Sequence, residues 1–71
     1  MSKPIYWCGQ LANACQISQR PYNGVMYDAS TRYGWANICQ ETFDELGCKL
    51  GTGLGQKYVL QDDGRWLKVE G

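Results

Sequence analysis

The sequence predicts a small single-domain α+β fold: a β-hairpin, a short helix and a closing C-terminal β-hairpin. Three observations predict it. An Asn23-Gly24 turn signal opens a run of β-forming residues from Val25 to Trp35, Cys39, Phe43 and Leu46 recur at helical spacing, and apolar residues alternate on both sides of Asp63-Gly64. The chain has 71 residues, which leaves room for one domain, whose core supplies no more than about 3–5 kcal/mol unaided. With 44% hydrophobic, 13% aromatic and 20% charged residues it is too apolar for a disordered tail.

Taken in order, residues 1–14 form an N-terminal arm or short strand, carrying Pro4, Ile5, Tyr6, Trp7 and Cys8 with no clear period. Tyr6 and Trp7 either tie this segment to the core or meet a partner. In the first hairpin, Asn23-Gly24 precedes Val25-Met26-Tyr27, and Asp28-Ala29-Ser30 separates that run from Thr31-Arg32-Tyr33-Gly34-Trp35. Helical period follows, with acidic residues suiting the positive end of the helix dipole and Gly47 placed for a left-handed cap. Residues 48–56 are rich in glycine and read as a loop. Their spacing fits neither a P-loop nor a dinucleotide fingerprint. Residues 57–70 form the second hairpin. A two-residue turn at Asp63-Gly64 would pair Asp62 with Arg65, Leu60 with Leu67 and Tyr58 with Val69, turning Tyr58, Leu60, Leu67 and Val69 inward. Val59, Trp66 and Lys68 would then face the other way.

Charge and composition narrow the function. Seven bases balance seven acids, which is neither the basic footprint of a strong nucleic-acid binder nor an acidic nucleic-acid mimic. The first 35 residues carry Lys3, Arg20 and Arg32 against Asp28 alone, and the remainder is correspondingly acidic. There is no histidine, so triads and metal sites that rely on imidazole are excluded. The chain lacks a nucleophile–base pairing and is too small to enclose a substrate, so it is not expected to be an enzyme. No apolar run approaches membrane-spanning length, and the Met1-Ser2-Lys3-Pro4 start carries no secretory signal, so the expected location is cytoplasmic.

Four cysteines, Cys8, Cys15, Cys39 and Cys48, remain to be placed. A cytosolic setting disfavours disulfides. None of the cysteines forms the Cys-x-x-Cys knuckle that aims two sulfurs at one zinc ion. Cys15-Gln16-Ile17-Ser18 and Cys39-Gln40-Glu41-Thr42 nevertheless keep the knuckle spacing, with a hydroxyl in place of the second thiol. Knuckle, hairpin, then two positions at a helix N-terminus is the order of a treble-clef zinc finger, so residues 15–47 are expected to form a degenerate treble-clef-like unit. Alcohols are weak zinc ligands beside thiolates, and the expected state is free of metal or other cofactor. The alternative is zinc held by Cys8, Cys15, Cys39 and Cys48.

The stretch from Tyr27 to Cys39, with Gly-Trp-Ala-Asn-Ile-Cys at its end, and Leu-Gly-Thr-Gly-Leu-Gly-Gln-Lys-Tyr at 50–58, resemble small zinc-finger-like proteins encoded by bacteriophages and prophages. The likeness covers roughly residues 15–71. Such proteins usually keep Cys-x-x-Cys at both knuckles, and Ser18 and Thr42 depart from that pattern. The resemblance implies a phage regulator, acting in the cytoplasm of the bacterial host, that binds host RNA polymerase, inhibits initiation and favours antitermination. On that reading Lys3, Tyr6, Trp7, Arg20, Arg32 and Trp35 are the expected contacts, since aromatic and arginine side chains dominate interface energies. The alternatives are a nucleic-acid-binding finger using Arg20, Arg32, Tyr33 and Trp35, or an adaptor for another host target.

Overall fold

A computed structural model describes residues 3–71; Met1 and Ser2, the head of the expected N-terminal arm, lie outside the described residues. Four strands, β1 (Val25–Thr31), β2 (Gly34–Ile38), β3 (Gly55–Leu60) and β4 (Trp66–Glu70), form one antiparallel sheet in the order β2-β1-β3-β4. A short helix, α1 (Gln40–Glu45), joins β2 to β3. The α+β expectation holds, both hairpins included. Among the described residues no helix is long and apolar enough to cross a membrane.

The first hairpin turns later than its sequence suggests. Asp28, Ala29 and Ser30 do not separate two runs but continue β1, where they pair with Asn37, Ala36 and Trp35. Met26, Asp28 and Ser30 alternate with Tyr27 and Ala29, a strand pattern that outweighs the turn tendency of Asp and Ser. The chain reverses at Arg32-Tyr33, where the left-handed backbone falls on Gly34 (φ 98°) and the Thr31 hydroxyl donates to the Gly34 carbonyl at 2.8 Å.

Helix α1 ends as the sequence predicts. Gly47 takes φ 64°, its N–H donates to the Asp44 carbonyl at 3.2 Å and the Cys48 N–H donates to the Phe43 carbonyl at 3.1 Å. That pair of bonds is a Schellman cap, which satisfies carbonyls the helix leaves open. Phe43 stacks on Tyr27 of β1 at 3.9 Å between centroids and fastens the helix to the sheet.

The C-terminal hairpin forms, but its register is one residue away from the expected one. Leu60 pairs with Trp66, Val59 with Leu67 and Tyr58 with Lys68, with a bulge between Lys57 and Tyr58. Asp63-Gly64 is not a two-residue turn. The Gly64 N–H donates to the Gln61 carbonyl at 3.0 Å and the Gln61 N–H to the Arg65 carbonyl at 2.8 Å, so Asp62, Asp63 and left-handed Gly64 make a three-residue loop. The added loop residue shifts every pair. Leu60 and Val69 are therefore exposed instead of inward, and Arg65 pairs with Asp63 at 2.8 Å instead of with Asp62.

The shift also settles where Trp66 goes. Its indole meets Tyr22 edge-on at 5.7 Å, and the N-terminal segment runs beside β4. The Trp7 N–H donates to the Trp66 carbonyl at 2.9 Å and the Lys68 N–H to the Ile5 carbonyl at 2.7 Å, with Tyr6 opposite Leu67. Residues 5–7 thus act as a short closing strand. Trp7 lies edge-on to Tyr58 at 5.5 Å. The core gathers Cys15, Tyr22, Met26, Tyr27, Ala29, Ile38, Cys39 and Tyr58.

Candidate functional site

The two half-knuckles meet. Cys15 and Cys39 are both fully buried, Thr42 is buried beside them, and Ser18 closes the group from the turn that follows Cys15. Local geometry makes that turn: the Gln19 N–H donates to the Cys15 carbonyl at 2.9 Å and Gln19 itself adopts φ 66°. Cys39 caps α1, which places Thr42 one turn into the helix and back toward the cap. The Thr42 hydroxyl lies 3.3 Å from each sulfur and donates to the Ser18 hydroxyl at 3.0 Å. Ser18 Oγ lies 3.7 Å from Cys39 Sγ, and the Ser18 N–H donates to Cys15 Sγ at 3.4 Å. The expected pairing of each cysteine with a hydroxyl three residues on is thereby assembled into one closed ring of contacts.

Burial pushes the Cys15 thiol up, but the hydrogen bonds of Ser18 and Thr42 and the Cys39 N–H favour the anion and together bring it down to about 6. With Cys15 protonated, its S–H donates to Thr42. On ionisation the hydroxyls rotate to donate to sulfur. Tyr22 is pushed up to about 12, first by burial and then by the two nearby sulfurs, and its hydroxyl donates to the Ala14 carbonyl at 2.9 Å.

Two thiols and two alcohols suit zinc poorly, and no buried side-chain polar atom among the described residues is left without a partner for a metal to satisfy. The four-cysteine alternative is not assembled either: no three cysteine or acidic side chains among the described residues converge as a ligand set. Cys8 is exposed and donates to the Tyr6 carbonyl at 3.7 Å, while Cys48 lies at the edge of the core. All four are free thiols. The cluster's work is cross-linking, since it ties the knuckle turn to the helix and the end of β2. The Gln16 N–H reinforces this by donating to the Asn37 carbonyl at 2.9 Å while Gln16 Oε1 accepts from the Asn37 N–H at 2.7 Å.

The six expected contact residues do not form one surface. Lys3, Tyr6 and Trp7 lie along the β4 side of the sheet. Tyr6 sits under the Arg65 guanidinium at 4.0 Å, and the half-buried Trp7 ring serves the core. Arg20 stands on the knuckle turn in an exposed ion pair with Glu45 at 2.7 Å. Arg32, in the β1–β2 turn, and Trp35, just after it on β2, lie at the opposite edge of the sheet. There Tyr33 is 69% exposed with the Arg32 guanidinium 6.0 Å from its ring centre, and Trp35 is 53% exposed. Asp28 stands on β1, the strand beside Trp35, and not in the turn its sequence neighbours suggest; the alternation of Met26, Asp28 and Ser30 is the signal for that placement.

No protein family, curated protein or solved structure matches the chain in comparisons with each.

Proposed function

We propose that the chain is a protein-binding module of phage type that regulates transcription by docking onto bacterial RNA polymerase, inhibiting initiation and favouring antitermination. The observation that carries the binding role is the exposed group Arg32, Tyr33 and Trp35 at the free edge of the sheet. Large aromatic rings and arginine are the residue types that supply most interface energy, and here they stand on a paired strand and a tight turn, so little is lost in ordering them. The polymerase as partner rests on the likeness of segments 27–39 and 50–58 to small phage proteins. Nucleic acid fits the surface less well. Arg20 already holds Glu45, and Trp35 has a carboxylate, Asp28, beside it.

Purified bacterial RNA polymerase and the labelled chain supply the test, with binding followed by interferometry and function by run-off transcription over a promoter and a terminator. Binding that falls at least about tenfold in Tyr33→Ala or Trp35→Ala, together with fewer initiated and more terminator-crossing transcripts from the wild type, is expected. Absence of binding by the wild type rejects the polymerase. Binding to a bare oligonucleotide that weakens steeply with salt would favour the nucleic-acid reading instead.

A further inference from the structure

Asp28 stands in the middle of β1, opposite Asn37 of β2 and opposite Gln56 of β3. Directly opposed residues project to the same side of a sheet, so these three side chains share a face. Ser30 and Trp35 form the next pair on that face, which makes Trp35 the diagonal neighbour of Asp28.

Neither flanking amide serves the carboxylate. The Asn37 amide donates to Met26 Sδ at 3.9 Å and the Gln56 amide to the Gly51 carbonyl at 3.4 Å. The ion pairs among the described residues are Arg20 with Glu45 and Arg65 with Asp63, so Asp28 has none. Burial pushes its carboxyl up, with no bond to bring it back. Its oxygens still reach solvent, so water serves them in the isolated chain and a partner's donors can take that water's place. At the diagonal position on the same face stands Trp35, which is 53% exposed.

We propose that Asp28 and Trp35 receive an arginine side chain of a protein partner, its guanidinium lying over the indole and pairing with the carboxylate. Guanidinium meets both demands at once, since it is planar, weakly hydrated, stacks on aromatic faces and offers a fork of donors matched to a carboxylate. An ammonium group meets them less completely because it is strongly hydrated and cannot form the fork. Phosphate is repelled by the same carboxylate. The site deepens the protein-binding reading and rests on it, but it does not depend on polymerase being the partner.

The experiment titrates the intact isotope-labelled chain with a blocked Gly-Arg-Gly-Arg-Gly peptide, its lysine counterpart and a single-stranded oligothymidylate. The arginine peptide is expected to shift the Trp35 indole N–H and the Asp28 and Asn37 amide resonances saturably, the lysine peptide several-fold more weakly. Asp28→Asn and Trp35→Ala are each expected to weaken the response roughly tenfold while leaving the rest of the spectrum in place. No shift with the arginine peptide, an undiminished shift in Asp28→Asn, or a Trp35 response to the oligothymidylate alone overturns the site. The two readings fail separately. Polymerase binding with no arginine response removes this site and spares the binding module, whereas an arginine response without polymerase binding keeps the site and removes the polymerase.

Discussion

At the scale of single residues, Thr42 shows how a centre with metal-like spacing is held by ordinary hydrogen bonds. Its hydroxyl touches Cys15, Cys39 and Ser18, so the isosteric Thr42→Val removes the hub and takes a partner from two buried thiols and the part-buried Ser18 hydroxyl. A loss of about 1–3 kcal/mol in urea unfolding is expected, a cost set by desolvation without compensation. The pH dependence carries a second signature. The Cys15 thiol falls from 9.0 unfolded to about 6 folded, so between those values the unfolded chain holds a proton that the folded one has released. Stability therefore rises with pH across that window, is complete above 9 and is lost as pH falls through 6. Urea midpoints from pH 5.5 to 8.5 should climb in the wild type and climb less in Thr42→Val; a flat wild-type profile would count against the depressed thiol. The cluster was legible in the sequence because knuckle spacing is local: residues three apart across a turn or a helical step meet regardless of the rest of the fold. Asp28 was not, since its isolation depends on where Asn37 and Gln56 turn their amides, which only the assembled sheet decides.

At the scale of elements, the C-terminal hairpin shows that alternation fixes the existence of a strand pair more firmly than its register. Tyr58, Leu60, Leu67 and Val69 alternate well enough to fit a two-residue turn, but two-residue turns need left-handed residues at both or the first of their central positions, and Asp63 does not take that conformation. Gly64 alone does, at φ 87°, and a three-residue loop is the arrangement that asks for one such residue at its end. Gly64→Ala should then cost about 1–2 kcal/mol with the same fold, because an added Cβ meets no atom within 4 Å and the whole penalty is backbone conformation. Gly55→Ala tests the opposite cause. Its backbone is unstrained, yet a Cβ would stand 2.8 Å from the Lys49 carbonyl and 3.3 Å from Ala29 Cβ, so a loss of roughly 1–3 kcal/mol is expected from overpacking. Thermal unfolding of the two variants separates the mechanisms when combined with Gly64→Asn and Gly55→Ser. Asparagine tolerates the left-handed region and should restore much of the loss, whereas serine should restore none.

At the scale of the whole molecule, the sheet has one edge closed and one edge open, and the aromatic rings outside the Tyr27–Phe43 stack fall on one side or the other. On the β4 side, residues 5–7 add a short strand, Trp7 meets Tyr58, and Trp66 meets Tyr22, so the large rings there are spent on the core. On the β2 side, Gln16 occupies the backbone groups of Asn37, but Trp35 and Tyr33 remain open to solvent. A domain of this size has little stability in reserve, which makes the division testable. Trp7→Ala should lower the unfolding free energy by about 2–3 kcal/mol, less than full burial would give, and a chain this short loses roughly 4–8 °C in midpoint per kcal/mol. Trp35→Ala should change stability by no more than about 0.5 kcal/mol, as surface substitutions usually do, while abolishing most of the response to a partner. Equal thermal losses in the two variants would mean that the β2 edge is part of the core and not a surface held ready for another molecule.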